Sequence, residues 1–118
     1  MNDPRVKQLK IKTGVVKRLT KEKVTYEKEA DSQKNRIEKL KAAGSDSYDI
    51  KKQEEVLQEC LMMVPDCQRR LAKAFEDLKN ILESEKDLQE LEEYATAQQI
   101  IEEAKLQLPN SEELVTAC

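Results

Sequence analysis

The chain has 118 residues, a length suited to one domain; 38% are charged and 3% aromatic, with two glycines, three prolines and no histidine. Ala, Leu, Glu, Lys, Arg and Gln dominate, and apolar residues recur at helical spacing, which points to an all-helical protein and excludes a disordered one. The net charge of −3 hides an asymmetry: residues 1–28 carry nine Lys/Arg against three Asp/Glu, and residues 76–118 carry three against twelve.

Asp3-Pro4 reads as a helix start, with Asp as N-cap and Pro where its missing N–H is harmless. A heptad seam follows through Leu9, Lys12, Val16, Leu19, Lys23, Tyr26, Ala30, Gln33, Ile37 and Leu40, which predicts a first helix over residues 3–43. "AAGSDS" closes it: Gly44 suits the left-handed position after a helix, and Asp46 or Ser47 caps the next one. Gly14, inside the first helix, fits either a close backbone approach or neutral drift.

A second helix is predicted over residues 47–85, with Ile50, Leu57, Val64, Leu71 and Leu78 at one seam position. Gln53, Cys60, Cys67, Ala74 and Ile81 hold the other. A third apolar row joins only in its second half, at Phe75 and Leu82, so that half faces two neighbours and the first half faces one. "SEKDLQE", residues 84–90, has capping logic without Gly or Pro and is a weak boundary. A third helix over residues 87–107, with Leu88, Leu91, Ala95, Ile101, Ala104 and Leu108 on its stripe, ends before Pro109. The expected architecture is all-α, an elongated antiparallel three-helix bundle over residues 1–108 with a proline kink at Pro65, and a flexible tail over residues 109–118. At about 1.5 Å per residue the helices measure roughly 60 Å, slightly less, and about 30 Å. Helix 3 then returns only to the level of Pro65, where a three-helix bundle gives way to a two-helix arm.

Catalysis finds no support in the residues: there is no histidine, no thiol set spaced for zinc, no nucleophile motif and no phosphate loop. Cys60 and Cys67 lie about 10 Å apart by helical rise, beyond disulfide reach. No apolar signal core and no uncharged stretch of membrane length occurs, so the expectation is a cytoplasmic chain without membrane contact. Nucleic acid is disfavoured, since the lysines of helix 1 come with no aromatic platform and the C-terminal third would repel phosphate.

The basic run "RVKQLKIKTGVVKRLTKEK" fits either an acidic partner or the acidic helix 3 lying beside it. Met62 falls opposite the seam and Met63 beside it, an adaptable apolar contact or filler at the bend. Arg69 and Arg70 suit a partner carboxylate or plain solvation. The candidate partner-binding residues are Lys12, Lys17, Arg18, Lys21, Met62, Arg69 and Arg70.

"DPRVKQLKIKTGVVKRL", "YEKEA", "YDIKKQEEVLQE", "MMVPDCQRRL" and "EKDLQELEEY", in order over residues 3 to 106, resemble the tubulin-specific chaperone A family, also called tubulin-folding cofactor A. The resemblance implies a three-helix rod that captures β-tubulin folding intermediates after the chaperonin, stoichiometrically and without nucleotide or other cofactor. It also implies indirect dealings with later tubulin-folding cofactors and an association with the cytoskeleton. This chain departs from the family pattern in a less acidic turn at Ser45–Ser47 and in a tail running past the usual family end. Two rivals share the helical pattern. One is a dimeric coiled coil with an unbroken helix over residues 47–106, and the other is a three-helix adaptor of membrane trafficking.

Overall fold

In the computed structural model, which describes residues 3–108, α1 spans Pro4–Ala42, α2 Ser47–Ser84 and α3 Glu92–Lys105, with one 3-10 turn at Lys86–Leu88. Among the described residues there is no strand. The helices form an elongated antiparallel bundle 64 Å along its longest axis. Their ends are built by the expected residues. Asp3 Oδ1 accepts from the Arg5 N–H at 2.9 Å, and Gly44 takes φ +71°, where a side chain would be strained. The Ser45 N–H returns to the Leu40 carbonyl, and Asp46 caps α2 by accepting from the Tyr48 N–H at 3.0 Å.

Burial divides the rod in two. At one end Leu9, Val16 and Leu19 of α1 meet Leu71, Ala74, Phe75, Leu78 and Leu82 of α2, and α3 seals them with Tyr94, Ala97, Ile100, Ile101 and Ala104. Full burial of each large side chain here stabilises by about 1.5–3 kcal/mol. The Tyr94 hydroxyl enters this core and donates to the Leu82 carbonyl at 2.6 Å. At the other end α2 buries nothing before Cys67, and Ile50, Leu57 and Val64 stay half-exposed. There α1 buries Ala30 and Ile37 beside the polar Lys23 and Gln33. Lys23 Nζ escapes along its stem to Glu27 at 3.1 Å. Gln33 donates to the Gln53 side-chain oxygen at 2.6 Å and to the Gln53 carbonyl at 3.0 Å.

Several expectations are corrected. Helix 3 begins at Glu92, five residues later than residue 87, because residues 86–88 form a 3-10 turn and Leu91 is the N-cap. It is therefore about 21 Å long at 1.5 Å per residue. Its buried face runs through Tyr94, Ala97, Ile100, Ile101 and Ala104, whereas Leu91 and Ala95 are exposed. No helix runs unbroken over residues 47–106: α2 ends at Ser84, and its C-cap Glu85, with φ −112° and ψ 49°, leaves the helix. Arg5 fastens this break, donating to Glu85 and Asp87 at 2.8 Å each while holding Asp3 at 2.9 Å.

On α1 the seam position expected at Lys12 is taken by Thr13, which is buried with its hydroxyl on the Leu9 carbonyl at 2.7 Å. Tyr48 is 62% exposed, with Lys52 Nζ over its ring at 5.5 Å. Gly14 has no close neighbour: a Cβ built there meets nothing within 4 Å. Pro65 is exposed and lies within α2 without ending it. Its missing N–H removes one helical hydrogen bond, and its ring stays outside the core. The expected tail, residues 109–118 with Cys118, lies outside the described residues.

Candidate functional site

Residues seven apart on a helix share a face. On α2 the row Val56, Met63, Arg70 runs along one flank, with the row of Met62 and Arg69 further round, beyond Glu59 and Asp66. On α1 the facing row is Ser32, Thr25, Arg18. Between these rows lies an open groove of about 460 Å³ lined by Tyr26, Val56, Glu59, Cys60, Met62 and Met63. It continues past Val56 and Cys60 into a second stretch of about 380 Å³ that Thr25, Lys28, Glu29, Ser32, Gln33 and Arg36 also line. The helix α3 occupies the opposite flank of the α1–α2 pair, beside Lys10, Thr13 and Gly14.

Met62 is 71% exposed and Met63 37%, with Val56 at 43%. Three apolar side chains on neighbouring turns thus face water, at the level where α2 has lost its third partner. Seven residues on, the same rows become cationic. Arg69 Nη2 reaches Asp66 at 2.9 Å and Arg70 Nη2 reaches the same carboxylate at 3.2 Å. Arg18 on α1 pairs with Glu22 at 3.8 Å. Two guanidiniums sharing one carboxylate leave donors free, because each carries five N–H groups. Cys67 is buried beneath this cluster, and burial, reinforced by Glu22 and Asp66, pushes its thiol pKa up.

The seven residues singled out by sequence separate into groups. Met62 lines the groove, Arg69 and Arg70 follow on α2 with the Asp66 carboxylate between them, and Arg18 stands on α1 beside Glu22 with Lys21 exposed within a turn of it. Lys17 falls on the other flank, in the row of Lys10, whose ammonium lies 3.7 Å from Glu93 of α3. Lys12 is half-buried and 3.9 Å from Asp77 of α2. The acidic helix 3 therefore answers the basic helix 1 at Lys10, while Lys17 and Lys21 make no ion pair among the described residues. Val56, Tyr26 and Cys60 also line this surface, although none of them was among the seven candidates. The available signal was the seven-residue step from Val56 to Met63, along a row outside the assigned seam.

Among the described residues no group of three or more His, Cys, Asp or Glu side chains is placed to hold a metal ion. No helix there is long and apolar enough to cross a membrane. An open trough of about 910 Å³ lies between the start of α1 and the α3 cap, lined by Asp3, Pro4, Val6, Lys7, Lys10, Leu91 and Glu93. Its surface titratable groups carry no reactive arrangement. The Arg5 side chain and N–H bind Asp3 and hold its carboxyl below the usual range.

Residues 4–101 match the family described as Tubulin binding cofactor A. Tubulin-specific chaperone A of Homo sapiens is 62% identical over 107 residues, which cover 91% of this chain and 99% of the relative. Tubulin-folding cofactor A of Arabidopsis thaliana is 39% identical over 109 residues, covering 91% and 96%. The solved structure of human tubulin chaperone cofactor A superposes with a TM-score of 0.77 at 60% identity, covering 86% of this chain and 99% of that one. The crystal structure of the Arabidopsis thaliana cofactor gives 0.80 at 38% identity, covering 86% and 96%. The three-helix rod, its sequence motifs and these matches together make the chain a member of the tubulin binding cofactor A family.

Proposed function

We propose that the chain captures β-tubulin folding intermediates after their release from the chaperonin, one chain per client, without nucleotide, metal or other cofactor. It acts in the cytoplasm beside the cytoskeleton, and passes its client indirectly to later tubulin-folding cofactors. Beyond family membership, the reading is supported by the exposed face on which Met62 and Met63 stand next to Arg69 and Arg70. Flexible thioethers adapt to a surface that is not yet native, and arginines draw an acidic client by a long-range field. Lys12, Lys17, Arg18 and Lys21 extend that field along α1. Capture of this kind draws its free energy from association alone, so release requires a competing partner.

The test is native-gel or size-exclusion binding of the purified chain to chaperonin-released β-tubulin, with α-tubulin and the assembled αβ dimer in parallel and nucleotide removed enzymatically. A complex with β-tubulin alone, formed equally well without nucleotide, is the expected result. No complex with any of the three, or equal binding to all, overturns the reading.

A further inference from the structure

An antiparallel helix pair has two lateral grooves. In this chain one is filled at the three-helix end by α3, a 14-residue helix that brings apolar side chains to the seam and Glu93 to Lys10. The other groove is open along the arm. We propose that it receives a single amphipathic α-helix of the client, seated as α3 is seated on the opposite flank; this rests on the client-capture reading above.

Three observations specify the occupant. On α1 the groove is lined from Thr25 to Arg36, about 17 Å at 1.5 Å per residue, which holds a helix of about three turns. Its stretch beside the methionines is largely apolar, with Tyr26, Val56, Cys60, Met62 and Met63 beside Glu59 around a cavity of about 460 Å³, and its far stretch adds Lys28, Glu29 and Arg36. Beyond its Met63 end, toward the bundle, the two helices carry Arg18, Arg69 and Arg70, which are exposed and have only Glu22 and Asp66 as partners among the described residues. The occupant therefore carries an apolar stripe of i, i+3/i+4, i+7 spacing, with carboxylates at the end nearest the three arginines. The opposite flank of the arm is a poor alternative. Beyond α3 it offers Thr20, Glu27 and Lys34 from α1 with Glu54 and Leu61 from α2, a mostly polar surface.

Cys60, half-exposed in the groove, is a built-in reporter, and buried Cys67 is its internal reference. The experiment measures alkylation of each thiol by site-resolved mass spectrometry, in the free full-length chain and in its complex with chaperonin-released β-tubulin. In parallel, a benzophenone amino acid replacing Glu59 maps the contacted client segment. Expected results are a tenfold or greater slowing at Cys60 on complex formation, and crosslinks confined to one amphipathic, acid-bearing helical segment of β-tubulin. Arg18→Glu/Arg69→Glu/Arg70→Glu should weaken binding at least tenfold at low salt and less at high salt, and Val56→Asp/Met63→Asp should weaken it at any salt. Lys34→Glu on the other flank should bind within twofold of wild type. Circular dichroism confirms that each variant folds.

A complex that forms while Cys60 reacts at its free rate, or crosslinks falling on an extended segment, overturns the groove assignment and leaves client capture standing. Absence of any wild-type complex overturns both. Protection of Cys60 in a dimer of the free chain, detected by sedimentation, assigns the groove to a second copy and overturns the proposal.

Discussion

Replacing Leu78 by Ala tests the division of the rod into a packed end and a lightly held arm. Leu78 is 0% exposed, in a core to which all three helices contribute. Loss of its transfer free energy plus the residual cavity amounts to about 3–5 kcal/mol, because neighbours from three helices cannot all collapse inward. Leu57 holds the same seam position three heptads earlier but is half-exposed between two helices only. Its truncation removes roughly half the buried area and leaves an opening that water reaches, so Leu57→Ala should cost about 1–2 kcal/mol. Urea unfolding followed by circular dichroism measures both, with the m-value checked for constancy so that midpoints report stability. Equal losses at the two sites would refute the reasoning, since they would mean that the arm is packed as tightly as the bundle.

Gly14→Ala should stabilise by about 0.5–1 kcal/mol in the same assay, since the added methyl meets nothing within 4 Å and Gly weakens a helix interior. Asp3→Ala should lower the melting temperature at neutral pH, because it removes the cap of α1 and one anchor of Arg5. The Asp3 carboxyl is held below its ordinary value of 3.8, so its contribution is complete above that pH and is lost as pH falls through the lowered value. Thermal melts of wild type and Asp3→Ala should therefore converge in acid; a constant difference would contradict the sign. Cys67 should alkylate far more slowly than Cys60 in the folded chain, and the gap should close in denaturant, since burial both shields the thiol and raises its pKa. Reversal of Lys17, Arg18 and Lys21 to Glu should weaken β-tubulin binding in a salt-dependent way with helicity intact. Unchanged affinity would confine these charges to a solvated face.

Much of the fold was legible because heptads and caps are local. Asp3-Pro4, Gly44 and Asp46 set three helix ends by backbone chemistry that depends on few neighbours. The α2–α3 connection was harder to read. Its 3-10 turn and cap at Leu91 depend on Arg5, some 80 residues away in sequence, and on where α3 meets α2. Where that connection ends sets the rotation of the helix that follows, at about 100° per residue, so the first half of the α3 stripe runs through Tyr94 and Ala97 in place of Leu91 and Ala95, while Ile101 and Ala104 are buried as expected. The choice of Thr13 over Lys12 has a similar origin, because α3 arrives on that flank and draws the seam toward it. At the candidate face, outward placement of Met62 followed from period seven. The pairing of Lys12 with Asp77 did not, because it depends on the vertical alignment of two helices and not on the pattern of either one.

The Gln33–Gln53 bridge bears on how the arm keeps a single alignment despite its thin apolar seam. Sliding α1 against α2 by one heptad would bring Gln33 opposite Cys60 or Asp46, and would strand an amide that now donates twice at 3.0 Å or less. Stranding a buried amide costs about 1–3 kcal/mol, comparable with the apolar contacts such a slip would exchange. The hairpin thus behaves like a zipper with one keyed tooth: its halves can part and close again, but they meet in only one register.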